Sequence, residues 1–171
     1  MRNAVTRTLI LAGFLAILTP TLRSQDGERL KTLAANDTYP TFSLTLTSKS
    51  PDYRVGSMMW ITIVQTNLTN HEIDCTEEWD GIDRTYQYEA TDEDGKPAER
   101  RHRGNAGWDV HGCTIAARGN ESRMLQIERV FKFDRPGKYV IRVSHHEPFL
   151  TDEKGEPLVV WSNPITITIT G

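Results

Sequence analysis

Several signatures that would announce a known chemistry are missing from this 171-residue chain. It contains no Gly-x-Ser-x-Gly elbow, no glycine-rich phosphate loop and no dinucleotide fingerprint, so serine-hydrolase, nucleotide-hydrolase and Rossmann chemistry have no anchor in it. Ser144 stands beside His145, but adjacent residues on a strand diverge and cannot form a hydrogen-bonded nucleophile and base. Two cysteines are too few for repeated Cys-x-x-Cys metal spacing. Positive charge is also scarce: 20 Lys and Arg face 23 Asp and Glu, a formal charge of -3, which gives no electrostatic case for binding nucleic acid. Beyond the first two dozen residues no stretch keeps an apolar stripe at helical spacing between breakers, so helical bundles and α/β folds are excluded.

The chain opens with an address. Arg2 and Arg7 precede an apolar run, Leu9–Leu18, followed by Pro20 and small polar residues, the three-part layout of a secretory signal. That run is ten residues long, half of the roughly 20 that a spanning helix needs, so no stable membrane span is expected after cleavage. With cleavage after Ser24, residues 1–24 are the signal, 25–39 a polar lead-in and 40–171 one folded domain. Losing three arginines and no acid moves the formal charge from -3 to -6, and the expected location is periplasmic or extracellular.

After Pro40 the apolar period becomes two. Phe42, Leu44 and Leu46 alternate with Ser43, Thr45 and Thr47, and Ile165, Ile167 and Ile169 alternate with Thr166, Thr168 and Thr170. Further strands are expected over 57–66, 85–91, 122–131 and 138–144, with shorter ones near 71–75, around Arg100 and over 158–161. Asp94-Gly95, Gly119-Asn120 and Pro136-Gly137 supply the turns. Seven or eight strands, each with one apolar face, satisfy themselves as a single antiparallel β-sandwich.

Two resemblances add to this reading. The segment "FDRPGKY" resembles the tyrosine corner of immunoglobulin-like folds, which implies that the Tyr139 phenol ties down the preceding loop. Ile141 stands where antibody domains carry their second core cysteine, so that core disulfide is absent. The run "ITIVQTNLTN... YQYEATDEDGKPAE... PGKYVIRV" resembles exported bacterial sandwich domains of the BsuPI-type proteinase inhibitor, which implies an immunoglobulin-like β-sandwich and, as one alternative, proteinase inhibition.

The candidate sites are few. Cys75 and Cys113 suit one disulfide in an exported protein, closing a loop of 38 residue steps worth roughly 4 kcal/mol by chain entropy. The competing arrangement joins them with His71 and His111 as a two-histidine, two-thiolate zinc set, the metal-binding alternative. Arg100, Arg101, His102 and Arg103 form a local basic cluster able to receive a carboxylate or phosphate of a protein or glycan partner. Trp79, Trp108 and Trp161 are candidates for a sugar-stacking platform against ordinary core or rim packing. Asn36, Asn67 and Asn120 open Asn-x-Ser/Thr triplets. His145, His146 and Glu147 follow an apolar strand pattern, and alternation sends the two histidines to opposite faces, so they read as polar residues at a strand end. The expectation is an exported, non-catalytic module without a cofactor, acting by surface binding or as a structural component.

Overall fold

A computed structural model describes residues 39–79, 85–101, 109–151 and 155–171. The readings of residues 1–24 as a signal and, apart from Tyr39, of 25–39 as a lead-in lie outside these residues. Ten strands follow in order: β1 (Phe42–Ser48), β2 (Asp52–Arg54), β3 (Trp60–Asn67), β4 (Ile73–Trp79), β5 (Gln87–Asp92), β6 (Asp109–Ile115), β7 (Asn120–Gln126), β8 (Gly137–Thr151), β9 (Pro157–Trp161) and β10 (Ile165–Thr170). No helix among the described residues is long and apolar enough to cross a membrane.

Two sheets enclose the core. The first runs β1-β3-β7, and the second runs β2-β10-β8-β5 with β9 beside the far half of β8. Alternation decides what faces inward: Phe42, Leu44 and Leu46 from β1, Ile61 and Ile63 from β3, Ile141 and Val143 from β8, and Ile167 and Ile169 from β10 meet in one buried cluster. The all-β sandwich expected from the period-two pattern is therefore present. Burying a side chain such as Ile141, which is 0% exposed, contributes about 1.5–3 kcal/mol relative to leaving it in water.

The first sheet has a blocked edge. Asn163, just before β10, donates from Nδ2 to the Leu46 carbonyl and accepts from the Leu46 amide, both at 2.9 Å. The side-chain amide thus occupies main-chain groups on β1 that another strand could otherwise pair with. Tyr139 ties down the loop before it, its hydroxyl donating to the Arg135 carbonyl at 3.1 Å while its ring packs edge-on against Phe133. The Asp94-Gly95 turn also forms: Gly95 has φ +77°, and Asp92 Oδ1 accepts from the Asp94 and Lys96 amides.

Four expectations need correction. The described residues form ten strands rather than seven or eight, because β2 and β6 lack a legible alternating pattern. The sandwich is not wholly antiparallel, since β2 joins β10 in parallel through Asp52–Arg54. The segment 122–131 is not one strand: β7 stops at Gln126 and a 3-10 turn covers Ile127–Arg129. That turn lets Ile127, Val130 and Phe131, spaced three and four apart, all reach the core, while Glu128 accepts from the Met59 amide at 3.0 Å. Finally, β8 does not end before its histidines but continues through Thr151, paired with β9.

Candidate functional site

Two of the chain's crossings between the sheets are themselves strands, and they pair with each other. β4 carries it from β3 in the first sheet towards β5 in the second, and β6 carries it back to β7. The two form an antiparallel ribbon in which Cys75 stands opposite Cys113. A disulfide joins them, with the Cα atoms 4.8 Å apart, within the range that a bridge requires. The pairing expected from the cysteine count is the one present. Both sulfurs are bonded to each other, so neither is a thiolate available to the proposed two-histidine metal set. His71 directs Nδ1 to the Glu72 carbonyl, and His111 is exposed.

Side chains fasten the ribbon to the body. Asn67, buried at the end of β3, donates from Nδ2 to the carbonyls of His71, Ile115 and Ala116 at 2.7, 3.0 and 3.0 Å. Its Oδ1 accepts from the Thr69 amide and hydroxyl. One amide thus ties together the entry to β4 and the exit from β6, and a glycan on its nitrogen would disrupt these bonds. Beside it, Arg118 in the left-handed region (φ 60°) forks onto Asn70 Oδ1. Arg123 of β7 reaches Thr85 Oγ1 at 3.1 Å and lies over the Tyr86 ring, with Nη2 3.5 Å from Cys113 Sγ. These contacts place the ribbon on the side of the sandwich where β7 faces the start of β5.

The basic cluster is divided by the fold. Arg100 donates to the Tyr88 carbonyl and lies over the Phe131 ring, and its backbone bridges Phe131. Arg101 donates from Nε to the Glu128 carbonyl at 2.6 Å. Both guanidinium groups are thereby engaged in docking the 97–101 segment against the 126–131 turn, although both residues remain exposed at the surface. His102 and Arg103 lie outside the described residues, as does Trp108.

The motif His145-His146-Glu147 is also absorbed largely into structure. Glu147 is 3% exposed, and its carboxylate accepts from the Thr41 amide at 2.7 Å and the Thr41 hydroxyl at 2.6 Å, clamping the start of β1 to β8. His145 sits between Phe42 and Tyr86, with Nδ1 2.7 Å from the Thr85 carbonyl. His146 points to the other face of the sheet, beside Gln87. Sequence alternation separates the two histidines correctly, yet nothing in it reveals that Glu147 is buried. That follows only from the extension of β8 against β9.

A shallow cleft near the tyrosine corner is lined by Asp92, Lys96, Glu99, Lys132, Asp134 and Tyr139. Burial pushes the Tyr139 phenol above its ordinary value of 10.0, Asp134 and Asp92 add to the rise, and Arg135 opposes it. The phenol therefore stays protonated at neutral pH and able to donate. Lys132 pairs with Glu99, so the cleft balances its own charges.

Neither family models nor curated proteins match this chain. Solved structures do. One is a structural genomics target, SoR45, at 13% identity and TM-score 0.45 over 78% of this chain and 90% of that one. A second is the alkylpurine DNA glycosylase AlkC of Pseudomonas fluorescens, at 12% identity and TM-score 0.40, covering 77% of this chain and 31% of that one. A third is a β-glucosidase of Listeria innocua, at 14% identity and TM-score 0.41, covering 79% of this chain and 17% of that one. The chain thus spans less than a third of the glycosylase and of the glucosidase, and likenesses at this level carry no statement about activity.

Proposed function

We propose that this protein is an exported, non-catalytic β-sandwich module that works through its surface. The observation that carries the reading is how the polar groups most suggestive of chemistry are engaged: Glu147 by Thr41, His145 by Thr85, Arg100 by Tyr88, Arg101 by Glu128 and Asn67 by three carbonyls. Each of these bonds fastens backbone, and a residue holding the fold together is poorly placed to move protons or attack a substrate. Export is supported by the disulfide, which persists in oxidising compartments, and by the Arg-flanked apolar run at Leu9–Leu18.

Expression of the full chain in a Gram-negative host tests the reading. The protein is expected outside the cytoplasm, with an intact mass lowered by residues 1–24 and by two further hydrogens for the Cys75–Cys113 bond. Recovery in the cytoplasm at full length with two free thiols overturns it. Proteinase inhibition shares this compartment and is separated by assay: micromolar protein that leaves serine and cysteine proteinases active removes that alternative.

A further inference from the structure

The outward face of the second sheet holds a cluster that the fold itself leaves unsatisfied. Gln87 pairs with Ser144, and Ser144 with Trp161, so the three form one row across β5, β8 and β9. Along β8, Arg142 and His146 flank Ser144 on the same face. Ser144 is therefore a small residue ringed by four larger ones. It is 1% exposed, and its hydroxyl has no hydrogen-bond partner among the described residues. His146 has Nε2 2.9 Å from Gln87 Nε2, while its Nδ1 is buried and also without a partner. Leaving two such atoms unpaired at one spot is costly, and an ordered water or a ligand hydroxyl that reaches them recovers that cost.

The wall of this spot is aromatic. Trp161 is 40% exposed on β9, and the Arg142 guanidinium lies 4.1 Å from its ring centroid. Arg142 is held there by Glu89, whose Oε2 accepts from Nε at 2.8 Å and from Nη2 at 2.7 Å. The pair cancels its own charge. What the face offers at its surface is thus an indole, a planar amide and a neutralised arginine-carboxylate pair, with the Ser144 hydroxyl and the His146 Nδ1 lying just beneath them.

That combination selects among ligands. A carboxylate or phosphate would have to displace Glu89 from Arg142 to gain a counter-charge. An apolar peptide would cover Gln87, Ser144 and His146 without bonding them, which is unfavourable. A neutral sugar ring meets every requirement, since its C–H face packs on indole and its hydroxyls both donate and accept. We infer that the Gln87–Ser144–Trp161 row, with Arg142 and His146 beside it, binds a neutral oligosaccharide. The inference rests on the surface-binding reading and gives it a ligand class.

Isothermal titration of the purified full chain with cellohexaose, maltohexaose and the N-acetylglucosamine hexamer tests it. At least one is expected to bind saturably, with a Kd on the order of 0.1–2 mM. Gln87→Ala and Trp161→Ala, both at outward positions, should each weaken that binding about tenfold or more, with unchanged circular dichroism. No heat from any of the three sugars at about 5 mM overturns the inference, as does binding that survives both substitutions or tighter binding of a polygalacturonate hexamer. Failure here is distinct from failure of the function reading: an exported, disulfide-bonded chain that ignores sugars sinks only the ligand class, and a reduced cytoplasmic chain that binds them sinks only export.

Discussion

The sandwich body and the β4–β6 ribbon are both antiparallel β structure, but different forces hold them. In the body, alternate apolar residues of β1, β3, β8 and β10 enter one cluster, and the strands are secured by burial. The ribbon pairs mainly with itself, exposes Val110 and His111, and is secured by one covalent bond and one buried amide. Hydrophobic burial fixes an element cooperatively with its neighbours, whereas a local staple fixes it alone. The ribbon should therefore be able to open while the body stays folded.

The largest effect is expected in the body. Ile141→Ala removes a fully buried side chain at the centre of β8 and should cost about 4 kcal/mol in chemical denaturation. Next comes the staple. Cys75→Ser with Cys113→Ser should cost about 2–3 kcal/mol, short of the roughly 4 kcal/mol that chain entropy assigns to a loop of this length. The shortfall arises because the unstapled ribbon regains entropy by fraying in the native state. A loss equal to the full figure would mean that ribbon and body form one unit. Asn67→Ala should cost about 2 kcal/mol, since three carbonyls lose a buried donor, and should raise protease cleavage in the ribbon before global unfolding.

The smallest effect belongs to the tyrosine corner. Tyr139→Phe removes one hydrogen bond and should cost about 1 kcal/mol at neutral pH. The folded phenol titrates above its unfolded value of 10.0, so its contribution is complete below that pH and is lost as pH rises through the higher folded value. Denaturation curves of the two proteins should converge in strong alkali, and a gap that widens there would contradict the assignment.

How far the sequence could be read divides along the same line. Phe42, Leu44 and Leu46, and likewise Ile165, Ile167 and Ile169, announce their strands and inward faces because burial imposes the period directly. The ribbon strands IDCTEEW and DVHGCTI turn a face inward only where they leave the body, at Ile73, Cys75, Cys113 and Ile115, a stretch too short to show as a period, and β6 was therefore not legible. The cysteine count did indicate the Cys75–Cys113 bond. The short strand β2 is placed by parallel pairing to β10, a contact between residues more than a hundred positions apart that leaves no local pattern. For the same reason the Gln87–Ser144–Trp161 row, drawn from three strands, could not be assembled from spacing, although Trp161 could be singled out on its own.

Native-state hydrogen exchange, with and without reductant, tests the independence of the ribbon most directly. Amides of residues 73–79 and 109–115 should exchange through a lower-energy opening than those of Ile61, Ile63, Ile141 and Val143, and reduction should speed the ribbon while leaving those core amides nearly unchanged. Equal protection of ribbon and core, with both falling together on reduction, would contradict the account.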